Sequence, residues 1–479
     1  MRNAECKNKE AEMSEQKFES QVPFINSVRE MAAVHYSRPL AYVDTYGCQQ
    51  NESDSEKLRG MLAEMGYGFT DDEYLADVVI INTCAIRENA ENRVYGNVGE
   101  LVHTKKLHPS QIIVFCGCMA AVDGVVEKIE QSYKHIDLIF SPNKLWRFPE
   151  MLHSTLQERG ASGRVYETGV GEGEIIEGIP VRRDRTVKAW LPIMYGCDNF
   201  CSYCIVPYVR GRERSRKPQD IMDEARALVA DGYKDITLLG QNVNSYGTGL
   251  HEKIGFPEII RCINDIEGEF LIRFMTSHPK DASIELFRAM AESEKAARHI
   301  HLPFQAGSDR ILSLMNRGYT HEGYLEKILA ARELMPDIVI TSDVIVGFPG
   351  ETLDEFEDTM RLIEKAQFDA MFTFIYSKRP GTPAAELSDT TTREEKQERF
   401  DRLLVLQNAI SEEKHSRYIG KTVRVLVDEE SHDERYPYKA RTNGGRLVHL
   451  GGSIPTSLGS FVDTEITHCS SWSLFGELV

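Results

Sequence analysis

The stretch Cys197-Asp198-Asn199-Phe200-Cys201-Ser202-Tyr203-Cys204 decides how this chain is read. It sets three cysteines in one short loop, with three residues in the first gap and two in the second. An iron–sulfur cube takes one thiolate per iron, so four cysteines would close it. Three leave one iron with an open position, as catalytic metal sites do, where a substrate or cofactor can bind. Just upstream, Leu191-Pro192-Ile193-Met194-Tyr195-Gly196 reads as a buried strand ending in glycine. The loop then falls at the carboxyl end of a strand, where α/β folds build their sites. Cysteine gaps of two to four residues also suit structural zinc, so zinc is the competing reading of the loop taken alone.

At 479 residues the chain has room for about three domains, each able to bury a core. Its hydrophobic content of 41% and charged content of 27% are those of an ordinary soluble globular protein. The polar start Met1-Arg2-Asn3-Ala4-Glu5-Cys6 lacks the apolar run of a signal peptide, and no stretch is long enough to span a bilayer. Ten cysteines without a secretory signal imply a cytoplasmic chain whose thiols serve metals or catalysis. The net charge of −18 argues against a general nucleic-acid coat protein. Two local basic runs remain: Arg182-Arg183-Asp184-Arg185-Thr186-Val187-Lys188, and Arg210-Gly211-Arg212-Glu213-Arg214-Ser215-Arg216-Lys217. The first reads equally well as a solvated face. The second directly follows the cysteine loop and suits an anionic substrate held near the chemistry.

Residues 1–37 are polar, without sustained periodicity, and read as a flexible tail in which Cys6 is incidental. Over 38–155 the pattern becomes strand then helix, repeated, which predicts a parallel α/β domain. Ala41–Asp44, Asp77–Asn82 and Gln111–Phe115 are its strands, with helical runs through Ser53–Met65 and around Arg87, Glu88, Asn89 and Arg93. Each strand carries cysteine at or just past its carboxyl end, Cys48 after the first, Cys84 after the second and both Cys116 and Cys118 at the third, and such ends line one edge of a parallel sheet. A second three-thiolate site follows, although a lone cysteine is more often a small buried apolar residue. Cys116, two residues before Cys118, competes with it for the third place. Residues 156–187, rich in Gly, Glu and Arg, read as a linker.

Over 188–415 six apolar strand candidates alternate with helices, near 191–194, 236–239, 271–275, 299–303, 338–346 and 371–376. Such a series predicts a partial (βα)6 TIM-type barrel, with Cys262 in a helix and in the core. Residues 392–416 form a connecting amphipathic helix. From Lys421 the pattern turns to β, with Val423, Val425 and Val427 alternating and Gly-rich turns at Asn443-Gly444-Gly445 and Gly451-Gly452. A small β-barrel over 416–479 is predicted.

The Cys-x-x-x-Cys-x-x-Cys loop, with Tyr203 before its last cysteine, resembles the signature of radical S-adenosylmethionine enzymes. Gly47-Cys48-Gln49-x-Asn51, Asn82-Thr83-Cys84-Ala85-Ile86-Arg87 and Gly117-Cys118-Met119-Ala120 are similar to the cysteine motifs of the methylthiotransferase amino-terminal domain. The end of the chain resembles the TRAM domain, an RNA-binding module of tRNA-modifying enzymes. The chain is thereby identified as a member of the radical S-adenosylmethionine methylthiotransferase family, a resemblance covering about residues 38–479.

The resemblance implies a [4Fe-4S] cluster on Cys197, Cys201 and Cys204 and an auxiliary one on Cys48, Cys84 and Cys118. It implies two S-adenosylmethionine molecules per turnover, a flavodoxin or ferredoxin as electron donor, and a sulfur source. Tyr203, Asn242, Ser277, Gln305, Ile345 and Val346, at strand ends, are the candidate cofactor contacts. Gly240-Gln241-Asn242-Val243-Asn244-Ser245 looks like the branch that methylthiolates carbon 2 of isopentenyl-adenosine next to the anticodon in tRNA. Arg210, Arg212, Arg214, Arg216, Arg424 and Arg441 are the candidate RNA contacts, with Lys439 beside them. The alternative is a ribosomal-protein aspartate modified by the same chemistry. A zinc-stabilised RNA-binding protein is the rival from another class, and it sits badly with triads, because structural zinc takes four protein ligands.

Overall fold

The computed structural model describes residues 17–85, 88–158, 164–171, 173–184, 186–452 and 456–479. Cys6, Ile86, Arg87, Gly160, Gly163 and Arg185 lie outside the described residues. The chain divides into two compact units. The first is Met1–Asp184 with Tyr195–Asp198 and Cys204–Arg214, and the second is Arg185–Met194 with Asn199–Tyr203 and Ser215–Val479. The cysteine loop therefore contributes to both.

The first unit is built on a six-stranded parallel sheet in the order β2-β1-β3-β4-β5-β6. Its strands are β1 (Leu40–Thr45), β2 (Gly68–Phe69), β3 (Val78–Thr83), β4 (Ile112–Gly117), β5 (Leu138–Phe140) and β6 (Val165–Glu167). Every residue of β3 and β4 is buried, as expected of central parallel strands covered by helices on both faces. That double burial writes Val-Val-Ile-Ile and Ile-Ile-Val-Phe as continuous apolar runs, which is why these strands were legible. The three cysteine-bearing strands, β1, β3 and β4, are immediate neighbours. Cys116 lies within β4 and packs in the core on one side of the sheet, whereas Cys118 joins the cluster on the other side.

Two sequence expectations fail here. The expected flexible tail contains a helix, Val22–His35, with Pro23 in its first turn. Ile25, Val28 and Ala32 recur at helical spacing and are buried against the sheet domain. Phe24 lies 5.4 Å from the His153 ring on the helix Phe148–Gln157, and Gln21 accepts a hydrogen bond from the Glu150 backbone at 3.2 Å. The expected linker likewise begins with structure, because β6 completes the sheet as its sixth strand. Its later residues pack on the same unit: a side chain on Gly60 would meet the Pro180 carbonyl at 2.1 Å.

In the second unit β7 (Lys188–Pro192), β10 (Asp235–Leu239) and β11 (Leu271–Phe274) pair in parallel. β12 (His299–His301), β13 (Val339–Val346) and β14 (Ala370–Ile375) form the next parallel half. The short strands β8 (Met194–Tyr195) and β9 (Arg214–Ser215) flank the cysteine loop in sequence. All six expected barrel strands are present, in chain order, with an isolated Ile272–Ala296 bridge at the junction of the halves. Alternate residues face outward into one core with the surrounding helices, among them Leu191, Leu238, Ile300, Ile340 and Val344. The expectation for Cys262 is corrected: its helix, Phe256–Asn264, buries Phe256, Ile259, Ile260 and Ile263, and so leaves Cys262 exposed.

The helix Arg393–Ser416 starts with a capping box between Thr392 and Glu395 and leads to a closed barrel. Its strands β15 (Thr422–Asp433), β16 (Tyr436–Thr442), β17 (Leu447–Gly451), β18 (Phe461–Cys469) and β19 (Leu474–Leu478) run in the order β15-β16-β17-β19-β18. Its β16–β17 turn docks at the amino ends of the parallel strands. There Arg273 donates to the Asn443 carbonyl at 2.8 Å, and Asn443 accepts from the Arg298 backbone at 2.7 Å. Arg446 forms a buried ion pair with Asp369 beside them. The opposite, carboxyl ends of the strands are left for chemistry.

Candidate active site

In the first unit, the tight ends of three adjacent strands bring Cys48, Cys84 and Cys118 together. Gly47 has φ +117°, and a Cβ there would stand 2.3 Å from the Cys84 Cβ and 2.7 Å from its sulfur. Gly117, at φ +92°, is packed as closely against Asn82 and Thr83, 2.4 Å from each. Only glycine fits either turn. Asn51, on the first turn of the helix after Cys48, has its Oδ1 3.4 Å from the Cys48 sulfur and 4.0 Å from that of Cys118. The Asn51 amide nitrogen donates to the Thr83 carbonyl at 2.7 Å, which ties that turn to the end of β3. Burial pushes the Cys118 thiol up to about 12; the Arg210 guanidinium opposes this, and Cys84 and Cys48 add to it.

Arg210 is where the structure departs most from expectation. It is 5% exposed, not displayed to an RNA phosphate. Its Nε donates to the Cys118 sulfur at 3.2 Å, one terminal nitrogen to Asp54 at 2.7 Å, and the other to Asn51 Oδ1 at 2.9 Å. Burial alone would lower its pKa, but Asp54 and the Cys118 and Cys48 thiols hold it well above the ordinary value. A fixed cation thus stands against the thiol cluster, as outer partners do around metal ligands.

The other candidate RNA contacts divide. Arg216 is also buried, donating to the Pro192 carbonyl and to Glu224, each at 2.7 Å, so its expected role is corrected too. Arg214 spends its terminal nitrogens on the carbonyls of Arg212, at 2.7 Å, and Arg210, at 3.3 Å. Arg212 is exposed and pairs with Asp198 at 3.1 Å. On the small barrel, Arg424 pairs with Glu269, Lys439 with Glu429 at 2.6 Å and Arg441 with Asp428 at 3.0 Å. In the other basic run Arg183 pairs with Glu56 at 3.8 Å, Asp184 with Arg59 at 3.2 Å, and Lys188 with Asp428.

In the second unit, Cys201 is buried beside two groups the sequence reading did not single out. Arg317 donates to its sulfur and to the Tyr203 hydroxyl, each at 3.3 Å, and is anchored on the Pro303 carbonyl at 2.8 Å. The His278 Nε2 is 4.0 Å from the same sulfur, and burial, with help from Arg317 and Lys280, pushes that imidazole down to about 2. Arg317 gives no local signal, lying 116 residues from the cysteine it touches. Three non-glycine residues here have left-handed backbones: Phe200 at φ 45°, Thr276 at 62° and Gln305 at 68°. A β-branched threonine in that region is strained, and such strain gathers at functional sites.

Two expected cofactor contacts are in a fitting state. Ser277 Oγ and Gln305 Oε1 are buried with no hydrogen-bond partner among the described residues, which calls for a ligand or water. Asn242 is more committed: its amide donates to Asp281 at 2.7 Å and its carbonyl accepts from the His278 backbone at 3.1 Å. Ile345 packs against a small apolar cluster that Tyr203 also touches, while Val346 turns outward into the main core.

No group of three His, Cys, Asp or Glu among the described residues converges as a single-ion site would. One tetrahedral ion with bonds of about 2.3 Å holds its thiolates about 3.8 Å apart, whereas a cube spreads them over three irons. Thiol donors, with one guanidinium on the Cys118 sulfur and another on the Cys201 sulfur, are chemistry that an iron–sulfur cluster can use.

Three family models match the chain: Radical SAM superfamily over 191–363, Uncharacterized protein family UPF0004 over 40–141, and TRAM domain over 416–479. Together with the parallel strands and the cysteine loop they define a radical S-adenosylmethionine enzyme, a class that uses a [4Fe-4S] cluster and S-adenosylmethionine. The tRNA-2-methylthio-N(6)-dimethylallyladenosine synthase of Acetivibrio thermocellus is 48% identical over 465 residues, 97% of this chain and 96% of that protein. The protein of the same name from Thermoanaerobacter sp. strain X514 is 48% identical over 94% of this chain and 95% of its own length. That from Clostridium novyi is 47% identical over 91% and 96%. The chain belongs to this family of tRNA methylthiotransferases. Among solved structures, the radical S-adenosylmethionine methyltransferase TsrM from Kitasatospora setae superposes with a TM-score of 0.55, covering 73% of this chain and 75% of TsrM. At 16% identity that likeness speaks for the fold alone. No helix among the described residues is long and apolar enough to cross a membrane.

Proposed function

We propose that the chain methylthiolates carbon 2 of isopentenyl-adenosine in tRNA, at the adenine immediately 3′ of the anticodon. The observation that carries this reading is the second triad: Cys48, Cys84 and Cys118 at matching ends of three adjacent strands, apart in sequence from Cys197–Cys204. An enzyme that only generates a radical needs one such site; insertion of sulfur asks for a second. The relatives' names supply the nucleoside.

Cys197, Cys201 and Cys204 would hold one [4Fe-4S] cluster and Cys48, Cys84 and Cys118 the other. When bound, these clusters and two S-adenosylmethionine molecules supply the radical, the sulfur and the methyl group. The chain's own part is to hold and orient. Arg317 fixes the Cys201 sulfur and the Tyr203 ring, and Arg210 with Asn51 fixes Cys118 and Cys48. Ser277 and Gln305 offer unspent polar atoms to a ribose or a methionine moiety. The target base must leave its stack to reach such a site, as single-stranded loops allow. A flavodoxin or ferredoxin would deliver electrons, and a separate donor would replace the sulfur. The ribosomal-protein alternative draws no support from the three relatives above, each named for a tRNA nucleoside.

Two measurements test this. Anaerobic reconstitution should load about eight irons, falling to about four when Cys197, Cys201 and Cys204 are all changed to alanine. About four falling to none would remove the second cluster and the sulfur-insertion reading with it. Nucleoside mass spectrometry of isopentenylated tRNA after incubation with the reconstituted enzyme should show a gained methylthio group. An unmodified nucleoside, beside a methylthiolated aspartate in added ribosomal proteins, would move the chain to the alternative.

A further inference from the structure

The inner face of the second parallel half carries two large aromatics that the protein itself does not cover. β13 alternates: Ile340, Ser342, Val344 and Val346 are buried outward, while Thr341, Asp343 and Ile345 stand half-buried on the inner face. β14 lies in parallel register, with Phe372 beside Asp343 and Phe374 beside Ile345. Met371 turns outward into the core, yet Phe372 is 51% and Phe374 38% exposed. Two large aromatics exposed side by side on the same face of β14, where only Met371 is fully buried, form an apolar patch that needs an explanation.

The row beside them is polar and tightly arranged. The His301 ring lies 6.0 Å from that of Phe372, tilted by 68°. Its Nδ1 is 2.9 Å from the Thr341 hydroxyl and its Nε2 is 3.4 Å from Asp343. One end of this face runs into the strand ends already described, for the Ile345 backbone donates to the Gln305 carbonyl at 3.0 Å. The face thus combines aromatic area, one carboxylate and continuity with the candidate cofactor contacts.

We propose that Phe372 and Phe374 form the wall that receives the isopentenyl-adenine base, and that they determine specificity for the isopentenyl group. This rests on the proposed function. An adenine offers a π-face to the rings, which stack on any base. The branched five-carbon tail supplies apolar surface to cover Phe372. Asp343 offers an acceptor for the one N–H that the substituted N6 retains. A substrate without the tail would leave Phe372 wet, which is how an apolar wall discriminates.

The test compares reconstituted wild-type, Phe372→Ala, Phe374→Ala and Phe372→Leu enzymes on tRNA carrying isopentenyl-adenosine and on tRNA carrying plain adenosine at that position. Iron content and thermal unfolding report on folding, and Phe372→Leu keeps apolar bulk should the alanine variants be unstable. Phe372→Ala should raise KM for isopentenylated tRNA about tenfold or more and erase the preference over plain tRNA. Phe372→Leu should retain part of that preference. Wild-type activity on isopentenylated tRNA with KM and preference unchanged in all variants overturns this inference and leaves the function standing. A wild-type enzyme that leaves both tRNAs untouched overturns the function, and the wall with it.

Discussion

Arg210→Met isolates what the buried guanidinium does for the first unit. The Arg210 and Asp54 side chains are 6% and 8% exposed and 2.7 Å apart, so the change strands a buried carboxylate. Removing one partner of such a pair costs about 3–5 kcal/mol, more than an exposed ion pair would. Replacing both partners by apolar groups is often close to neutral, so Arg210→Met/Asp54→Leu should recover to within about 1 kcal/mol of wild type. The second change thus restores about 2–4 kcal/mol to Arg210→Met, whereas independent positions would add to within a few tenths. Native-state hydrogen exchange of the cluster-free protein reads this locally, at the amides of β1, β3 and β4. Exchange there should speed up by about two to four orders of magnitude in the single variant and return in the double. Acceleration below about tenfold in Arg210→Met, or strictly additive effects in the double variant, would refute the reasoning that Arg210 is a buried partner of Asp54 and not a surface charge.

Two further outcomes follow from single positions. Gly47→Ala places a Cβ 2.3 Å from that of Cys84 at φ +117°, so reconstituted iron should fall from about eight to about four per chain while the Cys197–Cys204 loop keeps its share. Unchanged iron would mean that the turn relaxes without disturbing the triad. Burial, with His301 and Arg273 adding, pushes the His299 imidazole down to about 3. Between pH 6.5 and 3 the unfolded chain therefore binds a proton that the folded one refuses, and stability falls as the pH drops below 6.5. Unfolding free energies from urea titrations at pH 6.5 and 5.0 should differ by about 1–2 kcal/mol more in wild type than in His299→Asn. Equal differences would show that His299 titrates normally.

The sequence alone announced three domain types and all six strands of the parallel barrel. It could do so because each of these is written locally: thiol spacing within a loop, and apolar runs where a parallel strand is buried on both faces. Strand-end position extended this to Cys48, Cys84 and Cys118, since parallel strands share one carboxyl edge. The helix Val22–His35 was legible too, in the spacing of Ile25, Val28 and Ala32, but its polar surroundings masked it. Which charges and aromatics are covered was settled by contacts between residues far apart in the chain. Arg210 and Arg212 are neighbours in one basic run, yet one is buried on Cys118 and the other exposed. Arg317 finds Cys201 across 116 residues, and Phe372 stays open where Met371 is buried. A long cation is buried only where partners distant in sequence compensate its desolvation, and no local pattern records that arrangement.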